Sequence, residues 1–348
     1  MCADDFHVKE LLDREKCNWI HIPFVRSFSP FRDILALLVL LFHINRLKPD
    51  IVHTHSPKAG LLGQIAAFLC RVPCRIHTVA GLPAIEYVGI KKFVLMYFEK
   101  FTYLLSHWVL PNSYKLYKYL LTHDLTSSDK LKVIGNGSTN GINIDYYSPS
   151  LDVVESSVSL KAELKISDGS LILVYVGRLT PSKGTVELVK AFELLSVVHK
   201  DLYLVLVGNF DEKDLLPSEL KEVILNREKI IYMGHQKDVR PFLHMSDIFV
   251  FPSYREGLPQ SLLQACAMSK CCVASDIDGC NEIIGSNSRG LLISVKSIEA
   301  LVNSINLLIR DQDLRNSFGT AARSFVVDRY EQKYLYEELK LFYSKHIK

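Results

Sequence analysis

The chain has 348 residues, about twice the usual length of one domain, so two domains are expected and a single small module is excluded. Apolar residues make up 48% and charged residues 23%, with 13 prolines and 17 glycines, which excludes a disordered or fibrous chain. The 41 basic and 38 acidic residues leave a net charge of +3, too little for a surface that neutralises nucleic-acid phosphates.

The charge is divided unevenly along the chain. Residues 1–150 hold 17 basic and 12 acidic side chains, whereas residues 151–348 hold 24 and 26. A basic first half is typical of solvated surface and also of a face that meets anionic lipid or pyrophosphate. We therefore expect any attachment to a membrane surface to be weak and salt-sensitive.

The eight cysteines form neither a Cys-x-x-Cys pair nor a zinc-ligand spacing with His, which predicts buried free thiols in a reducing compartment. The apolar run at residues 34–42 is about half of the ~20 residues that span a bilayer. The N-terminus has no signal-peptide layout. These features predict a cytoplasmic protein that does not span the membrane.

Short apolar runs alternate with helical patterns throughout, which is typical of βαβ units and predicts an α/β fold with two parallel sheets. Strands are predicted in chain order at residues 19–24, 51–55, 75–79, 108–111, 132–134, 171–176, 203–207, 230–233, 248–251, 271–275 and 291–293. Helices include those predicted at residues 30–47, 61–70, 185–198 and a terminal one at 325–348.

The periodicity is lost in a polar stretch with Pro and Ser, where we place a linker at residues 149–168. It separates an N-terminal domain, 1–148, from a second domain, 169–325, which is followed by a helix at 326–348. The chain opens as if at the tail of a second strand, without the buried strand and glycine-rich turn that begin a doubly wound domain. We therefore expect the first strand of the N-terminal domain to be missing and an in-frame coding segment to lie upstream.

A loop suited to phosphate follows the strand at 171–176. Gly177 and Arg178 directly follow that strand, and Lys183 precedes a helix that begins at Thr185. Two cations at the carboxyl edge of a sheet, beside a helix N-terminus, bind phosphate. Taken alone, the segment is equally typical of a surface loop with two ordinary cations.

A carboxylate-bearing turn follows the strand at 248–251. Glu256 lies in the turn, and Pro259 stands near the first helical position, where its missing N–H costs nothing. Gln264 follows Glu256 by eight residues, one to two turns into the helix. Both side chains are therefore expected to face one cleft.

Together these two motifs closely resemble the retaining nucleotide-sugar glycosyltransferases of family 4, which have the GT-B fold of two Rossmann-like domains facing a cleft. The resemblance covers nearly the whole chain and includes residues 49–60, 75–83 and 135–143. Those N-terminal segments look most like bacterial enzymes that extend undecaprenyl-diphosphate-linked sugars in capsule and O-antigen assembly. The resemblance implies a hexosyltransferase that moves a sugar from a nucleotide donor, UDP-linked, to a lipid-linked saccharide with retention, and a C-terminal helix that crosses back to the first domain.

The resemblance also implies roles for single residues. The catalytic candidates are Arg178 and Lys183, which hold the donor diphosphate, and Glu256, which touches the donor sugar. Gln264 stands where relatives have a second Glu that holds the ribose, so it keeps hydrogen bonds without the charge. The implied donor-binding set is Gly177, Arg178, Lys183, Glu256, Gly257, Leu258 and Gln264. The resemblance also implies that no essential metal or other cofactor is used, which fits a site where an Arg and a Lys supply the positive charge.

Acceptor-side candidates lie in the first domain. They are His55 and Lys58. Lys58 is suited to an acceptor pyrophosphate, but its position is equally typical of a solvated lysine at the start of a helix. Many relatives have a His where this chain has Ala80. His77 is a further candidate, although alternation along its strand turns it to the opposite face, which favours a structural role. His53 points the same way as His55, but without a third ligand the pair does not predict metal.

Some interpretations stay open. Residues 89–98 mix lysines with large apolar side chains, which is typical of an interfacial membrane helix and also of a core helix. A non-hydrolysing UDP-sugar epimerase shares the fold, although the helix with Glu256 and Gln264 argues against it. A weak or inactive scaffold is the other alternative, because of the missing strand, Ala80 and Gln264. The sequence shows no carboxylate pair of the kind a glycoside hydrolase needs.

Overall fold

A computed structural model of the protein describes residues 1–2, 8, 12–13, 17–25, 29–285 and 287–347. The chain folds as two compact units: Met1–Thr139 together with Tyr336–Lys348, and Asn140–Leu335. The prediction of a missing first strand concerns the opening of the chain, where residues 3–7 lie outside the described residues.

The described part of the first unit is built around a parallel sheet of three strands in the order β1-β2-β3. In register, Ile51 of β1 lies opposite Cys74 of β2, and Ile76 of β2 lies opposite Trp108 of β3. The strands are β1 (Ile51–His55), β2 (Cys74–Val79) and β3 (Trp108–Pro111), and the helices are α1 (Pro30–Leu47), α2 (Pro57–Leu69), α3 (Gly89–Leu105) and α4 (Tyr114–Thr122).

Helix α1 contains the apolar run predicted from the sequence. It begins at Pro30, where the fixed φ of proline suits a first helical position, and it ends at Lys48, whose φ of 45° is left-handed. No helix in the described part of the chain is long and apolar enough to cross a membrane.

The second unit holds a larger parallel sheet, whose described strands follow the order β6-β5-β4-β7-β8-β9. The strands are β4 (Leu171–Val176), β5 (Leu202–Val207), β6 (Ile230–Gly234), β7 (Ile248–Phe251), β8 (Cys271–Ser275) and β9 (Leu291–Ile293). The helices are α5 (Leu151–Glu163), α6 (Thr185–Val198), α7 (Ser218–Asn226), α8 (Arg240–Met245), α9 (Gln260–Ala267), α10 (Asp278–Ile284), α11 (Ile298–Arg310), α12 (Gln312–Tyr330) and α13 (Gln332–Ser344), whose residues from Tyr336 onward belong to the first unit.

The strand order of the second unit creates a switch point between β4 and β7. From β4 the chain builds outward through β5 and β6, and from β7 it builds outward on the other side through β8 and β9. Helices that follow β4 and β7 therefore leave toward opposite faces of the sheet, which opens a crevice at the carboxyl ends of these two strands.

Four predicted elements differ from the structure. Residues 19–24 and 132–134 are not strands: each segment makes or adjoins a single bridge, His21 with Cys2 and Leu131 with Val109. After the second segment the chain turns at Gly135 and Gly137, whose φ values are 55° and 97°. The predicted linker, 149–168, instead contains α5, which packs on α8 within the second unit. The predicted single terminal helix is broken at Glu331, where the backbone pairs with Ile142.

Candidate active site

The two motif loops of the second unit leave the adjacent strands β4 and β7. The first loop covers residues 177–184 and contains a short 3₁₀ turn, Pro181–Lys183, directly before α6. The second covers residues 252–259 and ends at Pro259, which caps α9. Both loops therefore lie at the switch point, where open α/β sheets bind their ligands.

Contacts between side chains and backbone hold the two loops together. The Lys183 ammonium donates to Glu256 Oε1 at 2.5 Å, and both side chains are largely buried, with 22% and 14% of their areas exposed. The backbone N–H of Tyr254 donates to the Ser182 carbonyl at 3.0 Å, and the Tyr254 hydroxyl donates to Glu187 at 2.7 Å. The structure thus brings the predicted cation and the predicted carboxylate into direct contact.

Gly184 is required where the first loop enters α6. Its φ of 72° is left-handed, and a Cβ added there would collide with the carbonyl of Pro252 in the second loop. A second close approach joins α10 to the second loop, where a Cβ on Gly279 would collide with the carbonyl of Gly257. Glycine at these positions lets backbone segments approach more closely than any side chain would allow.

Arg178 lies at the open edge of the site. Its side chain is 65% exposed, and its guanidinium donates to Asp211 Oδ2 at 2.5 Å. The backbone carbonyl of Arg178 accepts a hydrogen bond from the buried Tyr175 hydroxyl at 2.8 Å, which anchors the loop to β4. Backbone N–H groups, first that of Lys213, and the Arg178 guanidinium hold the pKa of Asp211 below its usual value.

Gln264 lies half-buried on α9 and hydrogen-bonds with the Tyr147 hydroxyl. Burial raises the pKa of Tyr147 to about 12, so this hydroxyl stays protonated at neutral pH. Leu258 is buried beneath the second loop, so its side chain supports the loop from below.

Among the first-unit candidates, His53 and His55 point the same way, as the sequence predicted. Their rings stack with centroids 4.4 Å apart. His53 is held on both sides: Nδ1 lies 2.5 Å from the Tyr343 hydroxyl and Nε2 lies 2.7 Å from Thr78 Oγ1. Burial, followed by the charges of His55 and His77, lowers the pKa of His53 to about 3, so the ring is neutral.

The suggestion that His77 serves the acceptor is not supported by its position. The side chain is 2% exposed, and its Nδ1 lies 2.9 Å from Thr54 Oγ1. A Cβ on Gly60 would collide with the ring, so α2 packs directly against it. Burial lowers the pKa of His77 to about 4. His77 is therefore a neutral core residue, which agrees with the structural alternative.

Lys58 and His55 border a cavity of about 610 Å³ within the first unit, whose wall is mostly apolar and includes Leu40, Ile44 and Val52. The Lys58 ammonium lies 2.6 Å from Asp33 and donates to the Val25 carbonyl at 2.9 Å. It is thus positioned by its own unit rather than left as a solvated cation.

Within the described ranges no group of three or more His, Cys, Asp or Glu side chains is placed to hold a metal ion. The cysteines are free, as predicted, and most are buried, but Cys2 and Cys17 are exposed and Cys70 is half-buried.

Sequence reasoning missed several partners of the site. Asp211, which pairs with Arg178, follows β5 by four residues, and a carboxylate at the carboxyl end of the neighbouring strand could have been noticed. Asp214, which accepts from Ser182, and Tyr147 carry no comparable signal, because their approach depends on how separate loops pack.

The fold and the site define a class of protein. Residues 158–325 match the family described as Glycosyl transferases group 1, and residues 2–137 match the family described as Glycosyl transferase 4-like domain. The two matches cover most of the chain without overlapping. The protein belongs to the glycosyltransferases that these two families describe. It is an enzyme of the hexosyltransferase type, and it has the GT-B fold.

Similar proteins of known description support this assignment. The chain is 27% identical to the capsular polysaccharide biosynthesis glycosyltransferase CapM of Staphylococcus aureus, over 94% of this chain and 85% of that protein. It is also 27% identical, over 94% and 84%, to an Escherichia coli enzyme named UDP-Gal:alpha-D-GlcNAc-diphosphoundecaprenol alpha-1,3-galactosyltransferase. The crystal structure of Anabaena HepE in complex with UDP-glucose shares the fold, with a TM-score of 0.80, 19% identity and coverage of 98% and 90%.

Proposed function

We propose that the protein transfers a sugar from a UDP-sugar to a lipid-linked saccharide, with retention of the anomeric configuration. The observation that carries this proposal is the contact between Lys183 and Glu256 at the switch point of the second sheet. In this proposal the cation binds the diphosphate and the carboxylate beside it faces the sugar. The E. coli relative, whose name gives a UDP-sugar donor and a diphosphoundecaprenol-linked acceptor, supports the choice of substrates.

In this proposal Arg178 and Lys183 receive the diphosphate, and the N-terminus of α6 adds the positive end of its dipole. Their contribution grows as the bond between sugar and phosphate breaks, because negative charge then collects on the leaving oxygen. To bind the diphosphate, the Arg178 guanidinium must break its ion pair with Asp211 or contact both groups at once. This costs little free energy, because an exposed ion pair is worth about 1 kcal/mol or less.

Glu256 faces the sugar, where a carboxylate stabilises the positive charge that develops at the anomeric carbon. Its bond to Lys183 fixes its position before the donor arrives, so no reorganisation is needed during the reaction. The acceptor hydroxyl enters on the face that the diphosphate leaves, which gives retention without an enzyme nucleophile. Gln264 and the loop around Gly177, Gly257 and Leu258 complete the donor site in this proposal.

On the acceptor side, we assign His55 and Lys58 to acceptor binding at the cavity of the first unit. The product would be a longer lipid-linked saccharide for surface polysaccharide such as capsule or O-antigen, made in the cytoplasm at the membrane face. This assignment follows CapM and the E. coli relative.

The donor is tested by thermal unfolding with UDP, GDP, ADP and their sugars. A ligand at 100 times its dissociation constant adds about 2.7 kcal/mol of stability, and we expect this from UDP and UDP-sugars alone. Lys183→Ala should reduce the shift, whereas Lys190→Ala, an exposed lysine on α6, should not. A shift with GDP or ADP but not UDP would contradict the donor assignment.

The reaction is tested with the responding UDP-sugar and an undecaprenyl-diphosphate-linked saccharide. NMR of the product shows the configuration of the new glycosidic linkage. Retention predicts that it is the same as the anomeric configuration of the sugar in the donor. Recovery of an epimerised nucleotide sugar without transfer would favour the epimerase alternative. Thermal stabilisation by donor without any turnover would favour the scaffold.

A further inference from the structure

A short turn before α5 carries two neighbouring tyrosines with different surroundings. The backbone N–H of Tyr146 donates to the side-chain oxygen of Asn143 at 2.9 Å, and that of Tyr147 donates to the Asn143 carbonyl at 2.9 Å. Tyr146 is exposed, whereas Tyr147 is half-buried and packs against the core of the second unit. The turn therefore directs the Tyr147 ring inward.

The Tyr147 backbone is tied to helix α9, which carries Gln264. The Arg323 guanidinium of α12 donates to the Tyr147 carbonyl at 3.1 Å, and it also donates to the carbonyl of Ala267, the last residue of α9. Ala267 follows Gln264 by three residues, which is less than one helical turn. One guanidinium thus holds the turn and the helix together close to Gln264.

A second set of contacts anchors the turn on the side of Tyr146. The Tyr146 ring lies edge-on to the Tyr147 ring with centroids 5.1 Å apart, and the Arg240 guanidinium lies 3.8 Å from the centroid of the Tyr146 ring. Arg240 is itself held by Asp238 at 2.7 Å. The Tyr147 ring is therefore fixed both by packing and by backbone contacts, which gives its hydroxyl a defined place.

The Tyr147 hydroxyl hydrogen-bonds with the side chain of Gln264. Burial raises the pKa of Tyr147 to about 12, so the hydroxyl keeps its proton at neutral pH and is able to donate or to accept. Gln264 is only half-buried, so part of its side chain stays open to a ligand. The amide of Gln264 is thus held from the protein side and accessible from the other.

The amide of a Gln side chain has two unlike ends. Its oxygen accepts hydrogen bonds and its nitrogen donates them, whereas both oxygens of a carboxylate accept. A free Gln presents either end to a ligand, because its last torsion angle has only broad preferences. A hydrogen-bond partner on one end selects which end faces the ligand. A Glu at the same position would need no such partner.

We propose that Tyr147 is a positioning residue of the donor site, which holds the amide of Gln264 in the orientation that binds the ribose hydroxyls of the nucleotide. The inference rests on the proposed function, from which Gln264 takes its place in the donor site. Orienting the amide in advance reduces the cost of ordering it when the nucleotide binds. Because ribose contacts are the same in the ground and transition states, Tyr147 contributes to affinity and not to the rate of transfer.

The experiment compares two nucleotides that differ only in the ribose. Isothermal titration calorimetry measures the dissociation constants of UDP and 2′,3′-dideoxy-UDP for the wild type and for Tyr147→Phe, which lacks only the hydroxyl. We expect Tyr147→Phe to bind UDP on the order of fivefold more weakly, the size expected when one side chain must be ordered on binding. Its affinity for dideoxy-UDP should equal that of the wild type. With a competent UDP-sugar, KM should rise by about as much while kcat stays within about twofold.

Three further variants isolate the part that Gln264 plays. The matched control is Tyr146→Phe, which removes a hydroxyl from the neighbouring ring and should bind both nucleotides as the wild type does. In a Gln264→Ala background, Tyr147→Phe should have no further effect, because the group through which the hydroxyl acts is gone. In a Gln264→Glu background it should also have no effect on UDP binding, because the two carboxylate oxygens are equivalent.

Three results would overturn this inference alone. The first is a Tyr147→Phe variant that binds UDP as tightly as the wild type. The second is a variant that loses the same factor for UDP and dideoxy-UDP, which would make Tyr147 a structural support of the second unit. The third is a wild type that binds both nucleotides equally, which would separate Gln264 from the ribose while leaving UDP as the donor nucleotide. A wild type that binds neither would overturn the proposed donor together with this inference.

Discussion

The two units place their apolar side chains differently. In the second unit the described core residues form one continuous cluster that extends in sequence from Ile142 to Tyr330. The described core residues of the first unit form two clusters, one around Ala36 and Leu40 and the other around Tyr103 and Val109. Large apolar side chains are exposed on α1 and α3 of this unit, such as Phe31 at 88%.

The two units also differ in where their polar side chains lie. The second unit gathers Lys183 and Glu256 at the end of its sheet and fixes them with close backbone contacts. In the first unit His53 and His77 are buried and neutral, as their lowered pKa values show, and the Lys58 ammonium is paired with Asp33. The comparison teaches that the second unit places a cation and a carboxylate in contact at the end of its sheet, whereas the first unit exposes apolar side chains on α1 and α3.

The largest effect is expected where the charged groups meet. Lys183→Ala removes a contact to a phosphate whose charge grows in the transition state, and Glu256→Gln removes the charge beside the sugar. We expect each to lower kcat about a hundredfold or more, with a smaller change in KM. Steady-state kinetics with the competent donor measures both, and Lys190→Ala serves as the exposed control. Wild-type turnover in both variants would mean that the two loops are structural.

Arg178→Ala should also lower kcat more than affinity, because it contacts the same phosphates from the open edge of the site. Gln264→Ala should mainly raise KM, since ribose contacts are equal in the ground and transition states. An unchanged KM for Gln264→Ala would remove this residue from the donor site.

Gly184→Ala tests whether the backbone contact between the loops supports the second unit. The new methyl group meets the carbonyl of Pro252 in a left-handed conformation, so we expect a loss of about 2 kcal/mol or more. The control is Gly169→Ala, which has a φ of 81° but open space around it and should cost about 1 kcal/mol. Denaturant unfolding measures the free energy of unfolding of both variants. An equal loss in the two would show that the contact with Pro252 is unimportant.

Glu99 tests the buried polar groups of the first unit. Its pKa is raised to about 7 in the folded state, against 4.5 unfolded, because burial disfavours the charge. Glu99 therefore contributes stability that is lost as the pH rises from 4.5 to 7, by on the order of 2 kcal/mol, while the lowered pKa values of His53 and His77 act in the opposite direction. The difference in stability between the wild type and Glu99→Gln should therefore change over this range, whereas Glu163→Gln, exposed in the second unit, should follow the wild type. The free energy of unfolding of the wild type and both variants, measured from pH 4.5 to 8, tests this prediction.

The smallest effect is expected from metal removal. If Arg178 and Lys183 supply the positive charge for the diphosphate, chelation by EDTA should leave kcat within twofold of its value with Mg²⁺. A dialysed enzyme assayed with and without EDTA measures this. A loss of activity that Mg²⁺ or Mn²⁺ restores would show that the two cations are insufficient.

The sequence by itself determined most of the elements and the donor loops. Six strands, among them β1, β4 and β7, have the predicted bounds, because a short apolar run between turn residues leaves little freedom for other structure. Arg178, Lys183 and Glu256 could be singled out because each follows a recognisable strand and precedes a helix. Their carboxyl-edge location follows from parallel strand direction alone.

Only the tertiary structure decided which side chains meet. The contact of Lys183 with Glu256 joins residues 73 positions apart and depends on β4 lying beside β7. The pairing of Arg178 with Asp211 and the burial of His77 against Gly60 likewise arise from neighbouring elements. The exposure of apolar side chains on α3, such as Phe93 and Leu104, depends on packing for the same reason: periodicity shows that a helix has an apolar face, but packing decides whether the core covers it.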